Sequence, residues 1–311
     1  MSFQWRKIKR SFRLQLPPDH PYEAGPALGS RPYEALPAIM PVVTYSVILI
    51  AAVLLYLTDF KAGVDPQGRG EMLNKLGHRD NLNIILGDWW ALIGNAFFHG
   101  GGAGGGFLHF FLNATAMLSI GSVLERGLGS LKTLGLYLLF AFITTGYQLL
   151  VSELDLLNVP AWEFTAVASN WGAHMRFLFE SSLGLSGILF AVIGFMWGSW
   201  KRWTGFLGIF NRRLLNFVFM WQGLCFVLTY AGTGIYIANT AHISGLIFGF
   251  FTGMWMCYGI RFSKLWFALW SAMLALLIGG LVYYYLHYSI VLEDARPILE
   301  REGYVLPSPF K

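Results

Sequence analysis

The 311-residue chain is predicted to be an all-α polytopic membrane protein with seven transmembrane helices. Three observations carry this. Hydrophobic residues make up 55% of the chain and charged residues only 13%, against about 25% charged in soluble domains. Seven apolar stretches, 39–58, 107–124, 132–151, 183–200, 214–231, 239–258 and 264–288, reach or approach the length that crosses a hydrocarbon core of about 30 Å at about 1.5 Å rise per residue. None alternates apolar and polar residues as a barrel strand does, so each must satisfy its own backbone as helix.

Ahead of the first stretch, Phe3, Trp5, Ile8 and Phe12 recur at helical spacing among Arg6, Lys7, Lys9, Arg10 and Arg13. A helix lying on an anionic inner leaflet and a solvated basic tail both fit that pattern. Pro17 and Pro18 interrupt the chain before any apolar region with a small-residue cleavage site, so no removable signal peptide is expected. Cys225 and Cys257 fall inside the fifth and sixth stretches, where a thiol behaves as a small hydrophobe and implies no disulfide framework. Tyr283, Tyr284, Tyr285 and Tyr288 are placed as an aromatic belt where the seventh stretch meets outer headgroups.

Lys and Arg gather in alternate connections. Arg6, Lys7, Lys9, Arg10, Arg13 and Arg31 precede the first stretch, and Arg126 and Lys132 follow the second. Lys201, Arg202, Arg212 and Arg213 follow the fourth, and Arg261 and Lys264 the sixth. Basic loops stay inside, so the N-terminus is expected in the cytoplasm and the C-terminus outside. The net charge of +5 is then a topology signal, and a nucleic-acid partner is not expected because the basic residues are split among short turns.

Apart from Lys132, Lys264 and His287 at stretch ends, the charged or imidazole side chains within the apolar stretches are His109 and His242, and lipid penalises such groups enough to make them functional candidates. Ser186, in Gly184-Leu185-Ser186-Gly187, would alone mean little, since serines in membrane helices commonly bond back to a carbonyl one turn earlier. Depth raises it. Ser186 lies 15 residues above Lys201 and His242 lies 16 above Tyr258, which sets both roughly 22 to 24 Å above the cytoplasmic boundary. Gly187, Ala191, Gly194 and Gly198 in the fourth stretch, and Ala241, Gly245, Gly249 and Gly253 in the sixth, form strips that let two backbones approach. At the head of the second stretch, His109 and Asn113 share one helical face and can both donate hydrogen bonds, as an oxyanion requires.

The chain resembles the rhomboid intramembrane serine proteases over roughly residues 85–258. The match includes His109-x-x-x-Asn113, Glu125-x-x-x-Gly129, Gly184-x-Ser186-Gly187 and Ala241-His242-x-x-Gly245-x-x-x-Gly249. The resemblance implies a basic cytoplasmic tail at 1–38, a six-helix catalytic core at 39–260, an additional transmembrane helix at 261–290 and an outer tail at 291–311. It implies Ser186 as nucleophile and His242 as general base, with His109, Asn113, the Ser186 N–H and a second backbone donor at Leu185 around the oxyanion. No cofactor or metal is implied. The family often places Tyr four residues after the serine, where Phe190 stands and is expected to stack on His242; for its Trp-Arg pair the candidate is Trp89-Trp90.

The substrates implied are single-span transmembrane proteins that leave the lipid bilayer between spans two and five and are cut near their outer end. The address implied is a bacterial inner (plasma) membrane with the site open to the outer side. The uncharged loop at 231–238 is expected to cap the site, and the glycine-rich 100–106 to act as a mobile wall. His20, His78, His99, His174 and His287 fall in tails, in loops or at a stretch end, with no role assigned. The alternative is a catalytically silent rhomboid-like protein that binds or escorts membrane segments. A transporter would call for inverted repeats or broken mid-membrane helices, and a metalloprotease for His-Glu-x-x-His, which the sequence lacks.

Overall fold

The computed structural model describes residues 40–61, 66–100, 105–157, 184–199, 210–230, 237–257 and 260–301. Helix α1 is Val42–Leu55 and continues as a π-helical turn, Tyr56–Lys61. Its first free N–H groups face no capping side chain of their own. They are met instead by a carboxylate more than eighty residues away: Val43 N–H donates to Glu125 Oε1 at 2.9 Å and Thr44 N–H to Oε2 at 2.8 Å. The Thr44 hydroxyl adds 2.8 Å to Oε2 and the Ser130 hydroxyl 2.6 Å to Oε1. Glu125 is wholly buried, and a buried carboxylate needs this many donors to be tolerated. Glu125→Gln, which turns one acceptor into a donor facing these groups, is expected to cost about 2 kcal/mol. A thermal midpoint in detergent reads it, and an unchanged midpoint contradicts it.

Between α1 and the next long helix the chain builds a packed layer of short helices: α2 (Pro66–Lys75), α3 (Asn81–Ile85), and α4 (Ala91–Gly94) prolonged by the 3-10 turn Asn95–Phe97. Asp80 caps α3 by accepting from Asn83 N–H at 2.8 Å. Leu82, Ile84, Ile85, Ala91 and Leu92 are buried in the main core. Trp89 packs against that core, while Trp90 stays half exposed beneath the Arg79 guanidinium at 5.3 Å. Arg79 is held in turn by Asp88 at 2.8 Å.

Helix α5 (Gly105–Ala116) passes through a π-helical turn, Met117–Gly121, into α6 (Ser122–Leu128). The helix stops at Gly129, whose φ of +83° suits glycine, and α7 (Ser130–Leu157) begins at once. The remaining elements are α8 (Ser186–Ser199), α9 (Arg212–Tyr230), α10 (Asn239–Cys257) and α11 (Ile260–Arg301). Among the described residues there is no strand. Val42–Phe60, Gly106–Leu128, Ser130–Val151 and Lys264–Ile290 are long and apolar enough to cross a membrane by length and composition, so this is an integral membrane protein. Helix α8, at 14 residues, is shorter than a span needs, and all but its first and twelfth residues are buried.

Helices α8 and α10 sit at the centre, and the two strips of small residues interlock as expected. A Cβ on Gly249 would collide with the Ala191 carbonyl, one on Gly194 with Leu246, and one on Gly253 with Phe195. On Gly245 it would fall 2.7 Å from Gly187 O. Helix α11 lies outside α7, joined by Tyr147 Oη to Met273 O and Tyr284 Oη to Leu150 O, both 2.8 Å. That packing revises the tyrosine belt: Tyr284 and Tyr288 turn inward and are buried, while Tyr283 stays 60% exposed. Successive positions on one helix face different ways, so four neighbouring tyrosines cannot all meet headgroups. Helix α11 also runs past the expected end of the span to Arg301. The surface helix at 3–16, the tail at 1–38, residues 101–104 of the glycine segment and 231–236 of the cap lie outside the described residues.

Candidate active site

Ser186 is the first residue of α8, and the turn that delivers it requires glycine twice over. Gly184 has φ +115°, a backbone region that L side chains avoid. A Cβ there would also lie 2.6 Å from His109 Cε1 and 2.8 Å from His109 Nε2. The loop before the serine is therefore pressed against the polar face of α5.

His242 lies in the first turn of α10, whose start is fixed from α7: Ala241 N–H, one of the donors a helix leaves unpaired, gives its hydrogen bond to Gln148 Oε1 at 3.0 Å. His242 Nε2 stands 2.9 Å from Ser186 Oγ, the distance of a direct O–H···N hydrogen bond. The imidazole is 3% exposed. Phe190, one turn along α8, stacks flat on it with ring centroids 4.3 Å apart and planes at 2°. On the far side of the ring, Nδ1 is 3.1 Å from Gln222 Oε1 of α9.

The structure thus gathers Ser186, His242, Phe190, His109 and Asn113 around one point. His109 gives a ring hydrogen bond to the Gly100 carbonyl, and Asn113 is buried. Leu185 is the exception. Its N–H points at His99 Nε2, 3.4 Å away, and not into the space beside Ser186 Oγ. The cause is His99, which the sequence left without a role. His99 Nδ1 gives its proton to Phe97 O at 3.2 Å, so Nε2 is a bare acceptor for Leu185 N–H and for Asn113 Nδ2 at 3.3 Å. Its ring also meets that of His109 edge-on at 5.0 Å. No spacing could have shown this, because a glycine-rich segment separates His99 from the helix bearing His109.

Burial, reinforced by His109, holds His99 down at about 3. Burial, reinforced by Arg79 and Arg69, holds His78 down at about 4. Both are neutral in the fold and take up protons near 6.5 when released, so the unfolded state binds more protons at acid pH. Stability is then fully present above about pH 6.5 and declines as pH falls toward 4 and 3. A thermal midpoint that stays level from neutrality to pH 4 contradicts this.

A serine hydroxyl touching an imidazole nitrogen, with hydrogen-bond donors nearby in a buried setting, is an arrangement able to form and resolve an acyl intermediate. Among the described residues no group of three or more His, Cys, Asp or Glu side chains is gathered as a metal site would need.

The family model of the rhomboid domain matches residues 86–259, more than half of the chain. The chain belongs to the rhomboid family. Rhomboid protease GluP of Bacillus subtilis (strain 168) is 25% identical over 255 residues, covering 79% of this chain and 41% of that protein. Rhomboid protease GlpG of Yersinia pseudotuberculosis serotype I (strain IP32953) is 27% identical over 168 residues, covering 53% of this chain and 48% of that protein. The chain spans less than half the length of these relatives. The matched segment of this rhomboid begins just before α4 and ends just after α10, so it contains every residue of the site.

Proposed function

We propose that this rhomboid is an intramembrane serine endopeptidase that cleaves transmembrane segments through a dyad of Ser186 and His242. The observation that carries the reading is the 2.9 Å contact between Ser186 Oγ and His242 Nε2. The neutral imidazole takes the serine proton as Oγ attacks the scissile carbonyl, gives a proton to the leaving amine, and later activates the water that releases the acyl group. Asn113, His109 and the Ser186 N–H hold the oxyanion; Leu185 N–H joins them only by leaving His99. Phe190 keeps the imidazole plane fixed by stacking.

The domain plan belongs to the same reading: a cytoplasmic tail at 1–38, six crossing helices within 39–260, a seventh at 261–290 and an outer tail, in a bacterial inner membrane with the site facing out. The alternating basic connections support that orientation. Single-span membrane proteins enter between α5 and α9. Helix α9 supports this as the movable wall, since Phe219, Met220 and Val227 are all more than half exposed to what must be lipid. A substrate helix has to unwind there before its carbonyl can be reached.

The test is reconstitution of the purified protein in liposomes with a panel of single-span substrates. Cleavage by the parent and none by His242→Ala is expected. Cleavage retained by His242→Ala overturns the dyad, and a parent inert on the whole panel overturns the protease reading.

A further inference from the structure

The proposed base has a third partner. His242 Nδ1 faces Gln222 Oε1 at 3.1 Å, and Gln222 sits on α9, twenty residues before the histidine. A carboxamide can present either its oxygen or its amide group, so the contact alone does not say which nitrogen of the imidazole carries the proton. The chain of bonds behind Gln222 does.

The Thr229 hydroxyl donates to Cys225 O at 2.9 Å within α9. Its oxygen accepts from Ile237 N–H at 3.3 Å and from Asn239 Nδ2 at 2.9 Å. One proton given and two lone pairs filled exhaust a hydroxyl, so Asn239 must turn its amide toward Thr229 and its oxygen away. That oxygen accepts from Gln222 Nε2 at 2.8 Å. The Gln222 amide is therefore committed, and Oε1 is the atom left to face the imidazole. An acceptor at that point requires Nδ1–H, which leaves Nε2 bare toward Ser186 Oγ.

We infer that Gln222 is a positioning residue that holds the proton of His242 on Nδ1, with its own amide oriented by Asn239 and Thr229. A histidine base works in one tautomer only, and an orienting partner at the remote nitrogen selects it. Here the partner is a neutral amide, so it fixes the proton without adding charge to a site walled by the Phe190 ring. Because Gln222 is on α9 and the histidine on α10, the orientation of the base depends on the seating of one helix against the other.

The activity readout rests on the protease reading, so the first measurement does not use it. In protein labelled with ¹⁵N histidine, the imidazole signals of His242, assigned by their loss in His242→Ala, are expected to show a protonated Nδ1 and a bare Nε2. The opposite tautomer in the parent overturns the inference. The second measurement is Gln222→Met, which fills the space without a strong acceptor. It is expected to populate both tautomers and to lower the rate of fluorophosphonate labelling of Ser186 about tenfold, the equivalent of one hydrogen bond. KM for a cleaved substrate is expected to stay at the parent value. A Gln222→Met protein with the parent tautomer and parent labelling rate sinks the assignment. A parent that shows the Nδ1–H tautomer but neither labels nor cleaves would instead remove the protease reading and leave the role of Gln222 standing.

Discussion

Ser186→Ala is expected to lower kcat/KM on a single-span substrate by about 10⁴- to 10⁶-fold, the loss seen when a nucleophile whose base has no other work is removed. Ser186 Oγ is the hydroxyl that touches His242 Nε2, so under the proposed mechanism the substitution deletes the attacking atom and leaves the imidazole with nothing to deprotonate. The surroundings are not disturbed: the side chain loses one oxygen, and the Ser186 backbone N–H is unchanged. Because nucleophile and base act as a unit, the double variant with His242→Ala is expected to be no slower than Ser186→Ala alone. The measurement is single-turnover cleavage in liposomes. Two effects that multiply would mean that the residues act in separate steps, and the dyad would fall.

Gly249→Val is expected to abolish activity by a different route. Ala191 O stands where the first atom of any side chain at 249 would be placed, and that carbonyl belongs to the backbone of α8, which has no rotamer to give. The two helices must separate, at a cost of about 3 kcal/mol or more. Ser186 and His242 lie at the N-terminal ends of these two helices, so separation opens the 2.9 Å contact as well. The expected results are a lowered thermal midpoint and loss of fluorophosphonate labelling at Ser186. Parent values of both would show that the α8–α10 contact tolerates a side chain at its centre. Gly279, with open space around its Cβ position, is the control: Gly279→Ala is expected to leave both readings at the parent level.

The pairing of α8 with α10 was legible because small residues recur at helical spacing in two stretches that also carry a serine and a histidine at equal depth. In lipid, apolar side chains gain nothing by meeting one another, so a strip of glycines is a rare direct statement of which faces touch. The stacking of Phe190 on His242 was expected from the family resemblance, and the two rings do lie flat on one another. The layer of short helices between α1 and α5 was not legible, since its elements are four to ten residues long and carry no sustained period. Glu125 was visible as part of a motif, but three of its four donors come from α1, more than eighty residues away, and only the Ser130 hydroxyl is close in sequence.

What the sequence determined by itself was the membrane setting, the all-helical class and the candidates for the reacting groups. Each of these is local: a run of apolar residues, a spacing, a side chain that lipid would not otherwise admit. The tertiary structure alone decided how those groups are aimed. His99 receives Leu185 N–H, Gln148 anchors the start of α10, and Gln222 faces Nδ1 of His242. A hydrogen bond is directional and its partner can come from any distance along the chain, so its existence depends on how the helices are packed and leaves no periodic mark in the sequence.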